Sequence, residues 1–476
     1  MSPELKYSPI EEIEKIHTIL TSSFLAGLTR PLAYRRKQLL QLARLVQEND
    51  DAIEAAVFAD LGAAAFETAL TQTAPCVAQA IRCADSLEEW TKSEKPQVED
   101  WKASWDATVY KEPKGAVLLI SPWNVPFAIS LLPFMGAIAA GCPALLKPSE
   151  LAPHTAQLLA DLFPKYLDPS AYRVANGAVI ETTKMLSLKW SHIFYTGGIK
   201  VGRIVAKAAA EHVTPLTLEL GSKSPVFVDA QHTDIAVAAR RIMWGKQINA
   251  GQVCVSPDYV MVTKDHLDAL VSAFETAYKA FWPDGSISSS SDLGKIVNAA
   301  HLARLKDMLA RSEGKVVVGG KRDGQRMEVT ILRDVQLDDA VMEDENFGPI
   351  LPIVPVEDVN EAIKIIRERP TALVVYVFTE SEDTKEKFLG NTSSGSLVLN
   401  DTFQQLAVHE MPFGGQGESG YGCCLGKYSF DTFCHKRSYI NVPIAADPHL
   451  QFRYPPYSLT AYEMVAAGVK QPIPKI

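Results

Sequence analysis

Cys254 is the residue of this sequence with the clearest potential for covalent chemistry. It follows Gly251, Gln252 and Val253 directly after a helical pattern, and glycine commonly ends helices. A thiol on a loop beyond a helix end is reachable, and its thiolate form is a nucleophile. The alternative for any single cysteine is a small buried apolar residue, so the interpretation depends on the groups that accompany it.

Two further polar residues follow predicted strand ends and have the chemistry that a thiol nucleophile needs. Glu219 closes the apolar pattern LTLEL, where a carboxylate is unusual for packing but can act as a general base at the carboxyl edge of a sheet. Asn124, in SPWNVPF (121–127), carries an amide N–H that can donate to an oxyanion. Together these three residue types could supply a nucleophile, a base and an oxyanion donor, and a structural role for each one remains the alternative.

Two glycine-rich segments are candidates for a phosphate-binding turn. Gly415–Gly420 matches the pattern Gly-x-Gly-x-x-Gly, but it lies near the C-terminus with no helical pattern behind it, so we favour a loop near the active site or a turn cluster. Gly197 to Gly202 (GGIKVG) follows a predicted strand and precedes an alanine-rich helix. Such a helix N-terminus can approach a pyrophosphate closely, and a plain strand-to-helix turn is the alternative.

Strands that alternate with helices must position these groups. The first 90 residues have helical patterns, and the serine run at 288–291 indicates a surface loop. Predicted strands are 115–121, 143–148, 190–197, 214–220, 225–229, 259–263, 315–320, 350–356 and 371–379, and predicted helices include 201–212, 234–250 and 265–281. This alternation predicts parallel sheets covered by helices, in two α/β domains in tandem. The segment 95–113 and the tail after about residue 430 lack it and suggest a third, smaller element.

Composition excludes several classes of protein. The net charge of -9 disfavours a nucleic-acid binder. Seven cysteines without a Cys-x-x-Cys pair predict free thiols in a reducing compartment and no metal site. The N-terminus has no signal-peptide pattern, and the longest apolar stretch (128–140) is shorter than the ~20 residues that a membrane span needs. We therefore expect a cytoplasmic protein without a membrane span.

Seven sequence words, in order, resemble the aldehyde dehydrogenase superfamily over about residues 10 to 457. The words are SPWN (121–124), KPSE (147–150), YTGG…G (195–202), LELGSKSP (218–225), NAGQVC (249–254), NFGP (346–349) and MPFGG (411–415). The endings GKYSFDTFCHKRS (426–438) and RYPPY (453–457) resemble the class 3 and fatty-aldehyde branch, and further details resemble its fungal members.

The resemblance implies a fold of two tandem Rossmann-like α/β domains with a small β bridging or oligomerisation element, assembled as a homodimer. The implied cofactor domain is 1–94 with 114–225. The catalytic domain is 226–425, and the bridging element is 95–113 with 426–476.

The resemblance also implies the catalytic roles. Cys254 matches the nucleophile that forms a thiohemiacetal and then a thioester, and Glu219 matches the base that activates the hydrolytic water. Asn124 and the backbone N–H of Cys254 match the oxyanion hole. The implied reaction is oxidation of medium- or long-chain aliphatic aldehydes to carboxylic acids, with aromatic aldehydes as an alternative.

For the cofactor, the matching residues suggest NAD, with NADP also compatible because class 3 relatives accept it. Lys147 and Glu150 match residues that hold the adenosine ribose, and Glu150 would repel a 2′-phosphate. The remaining cofactor positions implied by the matching words are Trp123, Gly197, Gly198, Gly202, Leu220, Glu345 and Phe347, of which Glu345 and Phe347 match the nicotinamide end.

Three positions depart from the pattern of the family. Ser222 stands where a second glycine is usual, and we expect it to tighten the loop after Glu219. Asn346 replaces a common isoleucine, and Val125 replaces a tyrosine frequent in class 3 substrate channels, which would widen the channel. An acyl transfer to coenzyme A is disfavoured by the presence of Glu219, and a catalytically silent homologue by the retained nucleophile and cofactor words.

Further polar residues are predicted to be structural. We find no obvious partners for His192 or His409, and we expect Cys423 and Cys424 to be free thiols.

Overall fold

A computed structural model describes residues 5–288 and 292–475 of the chain, so Ser289–Ser291 of the predicted serine loop lie outside the described residues. The chain forms two compact units. The larger runs from the N-terminus to Trp90 and from Pro113 to Cys434, and the smaller comprises Thr91–Glu112 and His435 to the C-terminus. The boundary between a cofactor domain and a catalytic domain inside the larger unit stays a prediction.

The N-terminal region is helical, as its apolar spacing predicts. Its helices are α1 (Ile10–Leu25), α2 (Leu32–Gln47), α3 (Asp50–Leu61), α4 (Ala65–Thr68) and α5 (Ala74–Thr91), with a π-helical turn at Ala69–Thr73 between the last two. In α2 the buried residues Leu39, Leu42 and Val46 recur at helical spacing, which leaves one face for the core. The remaining helices are α6 (Ala128–Ala140), α7 (Pro153–Tyr166), α8 (Val179–Leu186), α9 (Ile199–Glu211), α10 (Ile235–Gln247), α11 (Leu267–Phe281), α12 (Ala299–Arg311), α13 (Ala340–Glu343), α14 (Val359–Glu368), α15 (Glu382–Asn391), α16 (Gln404–Ala407), α17 (Gly426–Phe433), α18 (Asp447–Leu450) and α19 (Leu459–Ala466).

Every strand predicted from the sequence is present. The strands are β1 (Thr108–Pro113), β2 (Val117–Ile120), β3 (Ala144–Lys147), β4 (Tyr172–Val174), β5 (His192–Gly197), β6 (Leu216–Leu220), β7 (Pro225–Val228), β8 (Tyr259–Thr263), β9 (Lys315–Val318), β10 (Arg322–Asp323), β11 (Arg326–Met327), β12 (Thr330–Arg333), β13 (Ile350–Val356), β14 (Ala372–Phe378), β15 (Ser394–Leu399), β16 (Gly420–Tyr421) and β17 (Cys434–Tyr439). No strand ranges were predicted from the sequence for β1, β4, β10, β11, β12, β15, β16 and β17, because these strands are short or only partly apolar.

The first sheet of the larger unit has six strands in the order β16-β6-β5-β2-β3-β4. Its strands are parallel except β16, which pairs antiparallel with β6 and places Gly420 opposite Glu219. All residues of β2 and β3 are buried, as expected for a parallel sheet with both faces covered. The carboxyl ends of β2, β3, β5 and β6 therefore bring Asn124, Lys147, Gly197 and Glu219 to one edge of the sheet.

The second sheet has seven strands in the order β15-β14-β7-β8-β13-β12-β9, parallel except for the edge strand β9. Buried apolar residues dominate β7, β8 and β14. The segment before β8 carries Cys254, and the segment before β13 carries Glu345 and Phe347. The two sheets show that the predicted α/β fold with parallel sheets is correct.

The smaller unit contains most of β1 and β17, which pair with each other, together with α18 and α19. Glu94 and Val109 form an antiparallel bridge in its first segment. Its residues overlap the predicted bridging element, whose boundaries and role stay predictions. No helix among the described residues has the length and apolarity that a membrane crossing requires.

Candidate active site

One cavity of about 620 Å³ in the larger unit collects most of the residues predicted for the site. Cys254, Glu219 and Asn124 line it, and so do Trp123, Gly197, Gly198, Glu345 and Phe347. Lys147, Glu150, Gly202 and Leu220 do not belong to its lining. Residues that are far apart in the chain thus meet at the carboxyl ends of parallel strands, where ligands commonly bind in α/β proteins.

The helix predicted for 234–250 ends earlier than expected, and a turn precedes Cys254. Helix α10 ends at Gln247, and residues 248–251 form a tight turn in which Asn249 (φ 46°) and Ala250 (φ 50°) are left-handed. This conformation costs about 1–2 kcal/mol for each residue with a side chain, so tertiary contacts must hold it.

Gly251 is required in this turn for a tertiary reason as well. Its φ is +73°, and a Cβ there would lie 2.3 Å from the carbonyl oxygen of Gly348. The two backbones approach so closely that only glycine fits. Gly251 therefore lies where the turn before Cys254 contacts the segment that follows Phe347. Contrary to the expectation from the sequence, it does not end the helix, because α10 ends four residues earlier, at Gln247.

Asn124 is tied to the same turn. Its side chain is only 3% exposed, and its backbone oxygen accepts a hydrogen bond of 2.7 Å from Nδ2 of Asn249. The Oδ1 atom has no hydrogen-bond partner within the part of the chain that the structure describes. The amide of Asn124 thus faces the cavity from a backbone position that Asn249 anchors.

Cys254 is a free, partly exposed thiol. Burial raises the pKa of the thiol to about 12, and the charges of Glu345 and Glu219 raise it further. The backbone N–H groups of Cys254 and Val255 oppose this increase in the pKa because they favour the thiolate. Without a bound ligand the sulfur is therefore protonated at neutral pH, and a proton must leave before it can attack.

Glu219 lies in the cavity with its carboxyl group buried. It is 4% exposed, and neither carboxyl oxygen has a hydrogen-bond partner among the described residues. Burial raises the pKa of this carboxyl well above its usual range. A raised pKa makes a carboxylate a stronger base toward water, and oxygens without a fixed partner among the described residues are available to a water molecule, as a general base requires.

The glycine-rich segment Gly415–Gly420 lies beside the carboxyl group of Glu219. A Cβ on Gly414 would lie 3.2 Å from Oε1 of Glu219, and Glu418 belongs to the cavity lining. Gly417–Ser419 form a short 3₁₀ turn that leads into β16. The Gly-x-Gly-x-x-Gly pattern is therefore a loop beside Glu219, with no helix behind it to bind a phosphate.

The other glycine-rich segment opens the N-terminus of α9 to the cavity. Gly198 precedes the helix, and no atom lies within 4 Å of the position that a Cβ would take there. A Cβ on Gly202 would meet the side chain of Leu220 at 2.7 Å, so these two residues pack α9 against β6 behind the cavity. The open helix N-terminus offers unpaired N–H groups to an anion, and these residues fit a dinucleotide pyrophosphate.

Lys147 and Glu150 form a separate polar pair at the same sheet edge. Nζ of Lys147 donates to Oε2 of Glu150 at 2.7 Å. Lys147 is buried, while about a third of the Glu150 side chain is accessible. A fixed donor beside an accessible acceptor suits the two hydroxyls of a ribose.

A turn before β13 holds Glu345 and Phe347. The backbone N–H of Ser222 donates to the Glu345 carboxyl, whose pKa is raised well above its usual range mainly by burial. Phe347 (φ 43°) contacts the indole of Trp123 edge-on, with ring centres 5.4 Å apart. The side chain of Ser222 accepts a 2.6 Å bond from the N–H of Leu373, which ties the loop after Glu219 to β14.

The turn that holds Glu345 and Phe347 is fixed by three residues that were not identified from the sequence. Arg304, on α12, donates to the backbone oxygen of Asn346 at 2.7 Å, and the buried Asp258 accepts the N–H of Asn346 at 3.1 Å. Lys223 donates to Asp258 at 3.0 Å. A lone arginine in an amphipathic helix is usually read as a surface residue, so no pattern in the sequence pointed to this role.

The remaining polar candidates are structural. His192 has partners that the sequence did not identify: its ring nitrogens lie 3.0 Å from Oγ1 of Thr217 and 3.2 Å from Nζ of Lys114. Burial lowers the pKa of His192 to about 3, so it is neutral. Cys423 and Cys424 are free thiols. No group of three or more His, Cys, Asp or Glu within 5–288 and 292–475 is arranged to hold a metal ion.

In this α/β fold an open helix N-terminus, a cysteine thiol and a buried carboxyl group share one cavity, an arrangement typical of a cofactor-dependent oxidoreductase. Residues 11–439 match the aldehyde dehydrogenase family, and the chain belongs to that family. It is 42% identical to aldehyde dehydrogenase family 3 member H1 of Arabidopsis thaliana over 96% of this chain and 95% of that protein. It is 41% identical to family 3 member A2 of Rattus norvegicus over 92% of this chain and 90% of that protein.

A solved structure agrees with this assignment. The substrate-bound AldH of Staphylococcus aureus superimposes with a TM-score of 0.92 at 36% identity, covering 96% of this chain and 99% of that one. The chain is therefore an enzyme of the aldehyde dehydrogenase type, which oxidises aldehydes with NAD(P). The resemblance to the class 3 branch is confirmed by its family 3 relatives.

The raised pKa of Cys254 predicts how the thiol reacts with iodoacetamide in the cofactor-free protein. Since only the thiolate reacts, the alkylation rate should rise about tenfold per pH unit from about pH 7 to 10 without a plateau. Mass spectrometry of the Cys254 peptide measures the rate. Cys76, a fully buried thiol, is the internal control for unfolding, and a plateau below about pH 9 while Cys76 stays unmodified would contradict the high pKa.

Proposed function

We propose that this enzyme oxidises medium- and long-chain aliphatic aldehydes to carboxylic acids through a covalent intermediate on Cys254, with NAD as its preferred cofactor. The observation that carries the proposal is the shared cavity: Cys254 and the unpartnered carboxyl of Glu219 line it together with the N-terminus of α9. Nucleophile, base and the site for a dinucleotide are thereby within reach of one small molecule.

The first step uses the thiol and the oxyanion donors. Cys254 gives its proton to a water molecule and its sulfur attacks the aldehyde carbon, forming a C–S bond as the C=O π bond breaks and places negative charge on the former carbonyl oxygen. The side-chain amide of Asn124 and the backbone N–H of Cys254 donate to that oxygen. One such donor typically contributes about 3 kcal/mol of transition-state stabilisation, and the tie between Asn249 and Asn124 holds the donor in place before the substrate arrives.

The oxidation converts the thiohemiacetal into a thioester on Cys254 as the C–H bond breaks with its electron pair. Bound NAD(P) supplies the hydride acceptor for this step. The chain's own residues would hold this cofactor: the N-terminus of α9 would bind the pyrophosphate, Lys147 and Glu150 the adenosine ribose, and Glu345 with Phe347 the nicotinamide end.

Hydrolysis completes the cycle. Glu219 takes a proton from a water molecule, the resulting hydroxide attacks the thioester carbon, and the C–S bond breaks to release the acid and the Cys254 thiolate. Burial raises the pKa of Glu219, and this supports the assignment because a carboxylate with a raised pKa is a stronger base toward water.

Three finer assignments belong to the same proposal. The aliphatic substrate class is supported by the relationship to family 3 enzymes. Val125 packs against the hydrophobic core and does not belong to the cavity lining, so its predicted effect on the channel stays a prediction. A homodimer follows the resemblance to the class 3 branch. A reducing, cytoplasmic location is supported by seven free thiols.

The substitution Cys254→Ala tests the function directly. We expect NADH formation from a medium-chain aldehyde to fall at least about 1000-fold, because the covalent step is lost. Cofactor binding, followed by fluorescence titration, should stay at the wild-type level, since the side chain contributes no proposed contact to the dinucleotide. Cys423→Ala is the matched control, and turnover near wild type in Cys254→Ala would refute the mechanism.

The substitution Glu219→Gln separates the two halves of the reaction. Acylation should proceed while hydrolysis slows about 100-fold or more, so that an acyl adduct accumulates on Cys254 and is detected by mass spectrometry. Glu418→Gln serves as the control, because Glu418 lines the same cavity but its carboxylate is occupied by the N–H of Thr371. Normal turnover without an adduct in Glu219→Gln would remove this residue from the role of base.

The cofactor preference is tested with Glu150→Ala. The wild-type enzyme should have the higher kcat/KM with NAD, because the Glu150 carboxylate would repel the 2′-phosphate of NADP. Its removal should raise kcat/KM for NADP at least about tenfold, which corresponds to about 1.4 kcal/mol. Asp161→Ala, which deletes an exposed carboxylate on α7, is the control. An unchanged ratio of the two cofactors in Glu150→Ala would contradict the assignment.

A further inference from the structure

A buried carboxylate outside the predicted site is bonded to the turn that precedes Cys254. Glu67 lies in the short helix α4 and is 6% exposed. Its Oε1 accepts a hydrogen bond of 2.8 Å from the backbone N–H of Asn249. Asn249 is the first left-handed residue of the turn 248–251, so Glu67 holds the turn at the point where the chain leaves α10.

Asn249 is in turn hydrogen-bonded to Asn124 and to Gln252, in the segment that leads to Cys254. Its Nδ2 donates to the backbone oxygen of Asn124 at 2.7 Å. Its backbone oxygen accepts from the backbone N–H and from Nε2 of Gln252, each at 3.0 Å. Gln252 lies two residues before Cys254, so one residue connects Glu67 to the oxyanion donor and to the segment of the nucleophile.

The turn needs such support because it contains two consecutive non-glycine residues with positive φ, Asn249 and Ala250. Asparagine tolerates this region but alanine is strained there, and the buried N–H of Asn249 requires an acceptor. Loss of the Glu67 oxygen would leave this donor unpaired and release the turn toward ordinary backbone angles.

We propose that Glu67 is a positioning residue that sets the place of Asn124 and Cys254 through Asn249. This inference rests on the proposed roles of those two residues. Glu67 does not belong to the cavity lining, so it acts through the turn and not on the substrate or the cofactor.

The acceptor oxygen, and not the charge, is the property that matters in this role. Burial raises the pKa of Glu67 to about 7, the charge of Asp292 adds to the increase, and the N–H of Asn249 opposes it. Near neutral pH both charge states are therefore populated, and each retains an oxygen that accepts from Asn249. Glutamine keeps that oxygen without the charge, which makes Glu67→Gln a conservative variant.

The experiment compares Glu67→Ala, Glu67→Gln and Glu328→Ala in the full-length enzyme. Glu328 is also 6% exposed, and its carboxylate accepts a backbone N–H, that of Lys321, at 2.9 Å. It therefore matches Glu67 in burial and bonding but lies outside the network of Asn249. Four quantities are measured: Tm, the pre-steady-state burst of NADH, KM for NAD, and iodoacetamide alkylation of Cys254 relative to Cys76 at about pH 9.

We expect Glu67→Ala to slow the burst at least about tenfold without a change in KM for NAD, because the oxyanion donor and the thiol shift while the dinucleotide site is untouched. Cys254 should be alkylated faster relative to Cys76, since its turn loosens locally. Glu67→Gln should restore both readouts. Glu328→Ala should lower Tm to a similar extent and leave the burst and the alkylation ratio at wild-type values.

Two results would overturn the inference: a folded Glu67→Ala enzyme with wild-type burst and alkylation ratio, or a Glu67→Gln enzyme as impaired as Glu67→Ala. If Glu67→Ala does not fold, Glu67→Asp, which withdraws the oxygen by one methylene, takes its place in the comparison with Glu67→Gln. The alkylation ratio does not depend on turnover. An active Cys254→Ala enzyme would refute the proposed function. The alkylation ratio of Cys254 to Cys76 would still show whether Glu67 holds the turn.

Discussion

The catalytic centre depends on one close backbone approach, between Gly251 in the turn before Cys254 and the carbonyl of Gly348 after Phe347. This contact joins the segment of the nucleophile to the segment proposed for the nicotinamide end. Because it is made between backbones, no side chain can adjust the distance, and the left-handed turn 248–251 is the geometry that permits it. The relative position of thiol and cofactor site therefore follows from how two loops of the second sheet meet.

The first sheet contributes the remaining groups of the site through the parallel direction of its strands. Parallel strands all present their carboxyl ends to the same edge, so β2, β5 and β6 deliver an amide, a helix N-terminus and a carboxyl group to one cavity. Their burial then sets the chemistry. Removal from water raises the pKa of Cys254 and of Glu219. The thiol therefore holds its proton more tightly than a cysteine in water does, and the Glu219 carboxylate is a stronger base than a carboxylate in water.

Much of the fold was predictable because the core strands are short apolar runs separated by helical patterns. Strands such as β2 and β14 are buried along their whole length, and this leaves a clear signal in the sequence. β15, with the sequence SGSLVL, is mostly half-buried at a sheet edge, and β16 has two residues that pair only because Glu219 lies opposite. Such strands form because a neighbouring strand supplies their hydrogen bonds, so their own residues give no clear pattern from which to predict them.

The sequence by itself determined which side chains are proposed to carry the chemistry: a thiol at Cys254, a carboxyl group at Glu219 and an amide at Asn124, each placed at or near the end of a recognisable element. Only the tertiary structure decided the conformation and the charge of these groups. Asn249 tolerates the left-handed region but Ala250 does not favour it, and the turn is held where Glu67 and the Gly348 carbonyl meet it from distant parts of the chain. The pKa of a thiol or a carboxyl group likewise depends on the water that folding excludes, and exclusion of water is a property of the packed molecule.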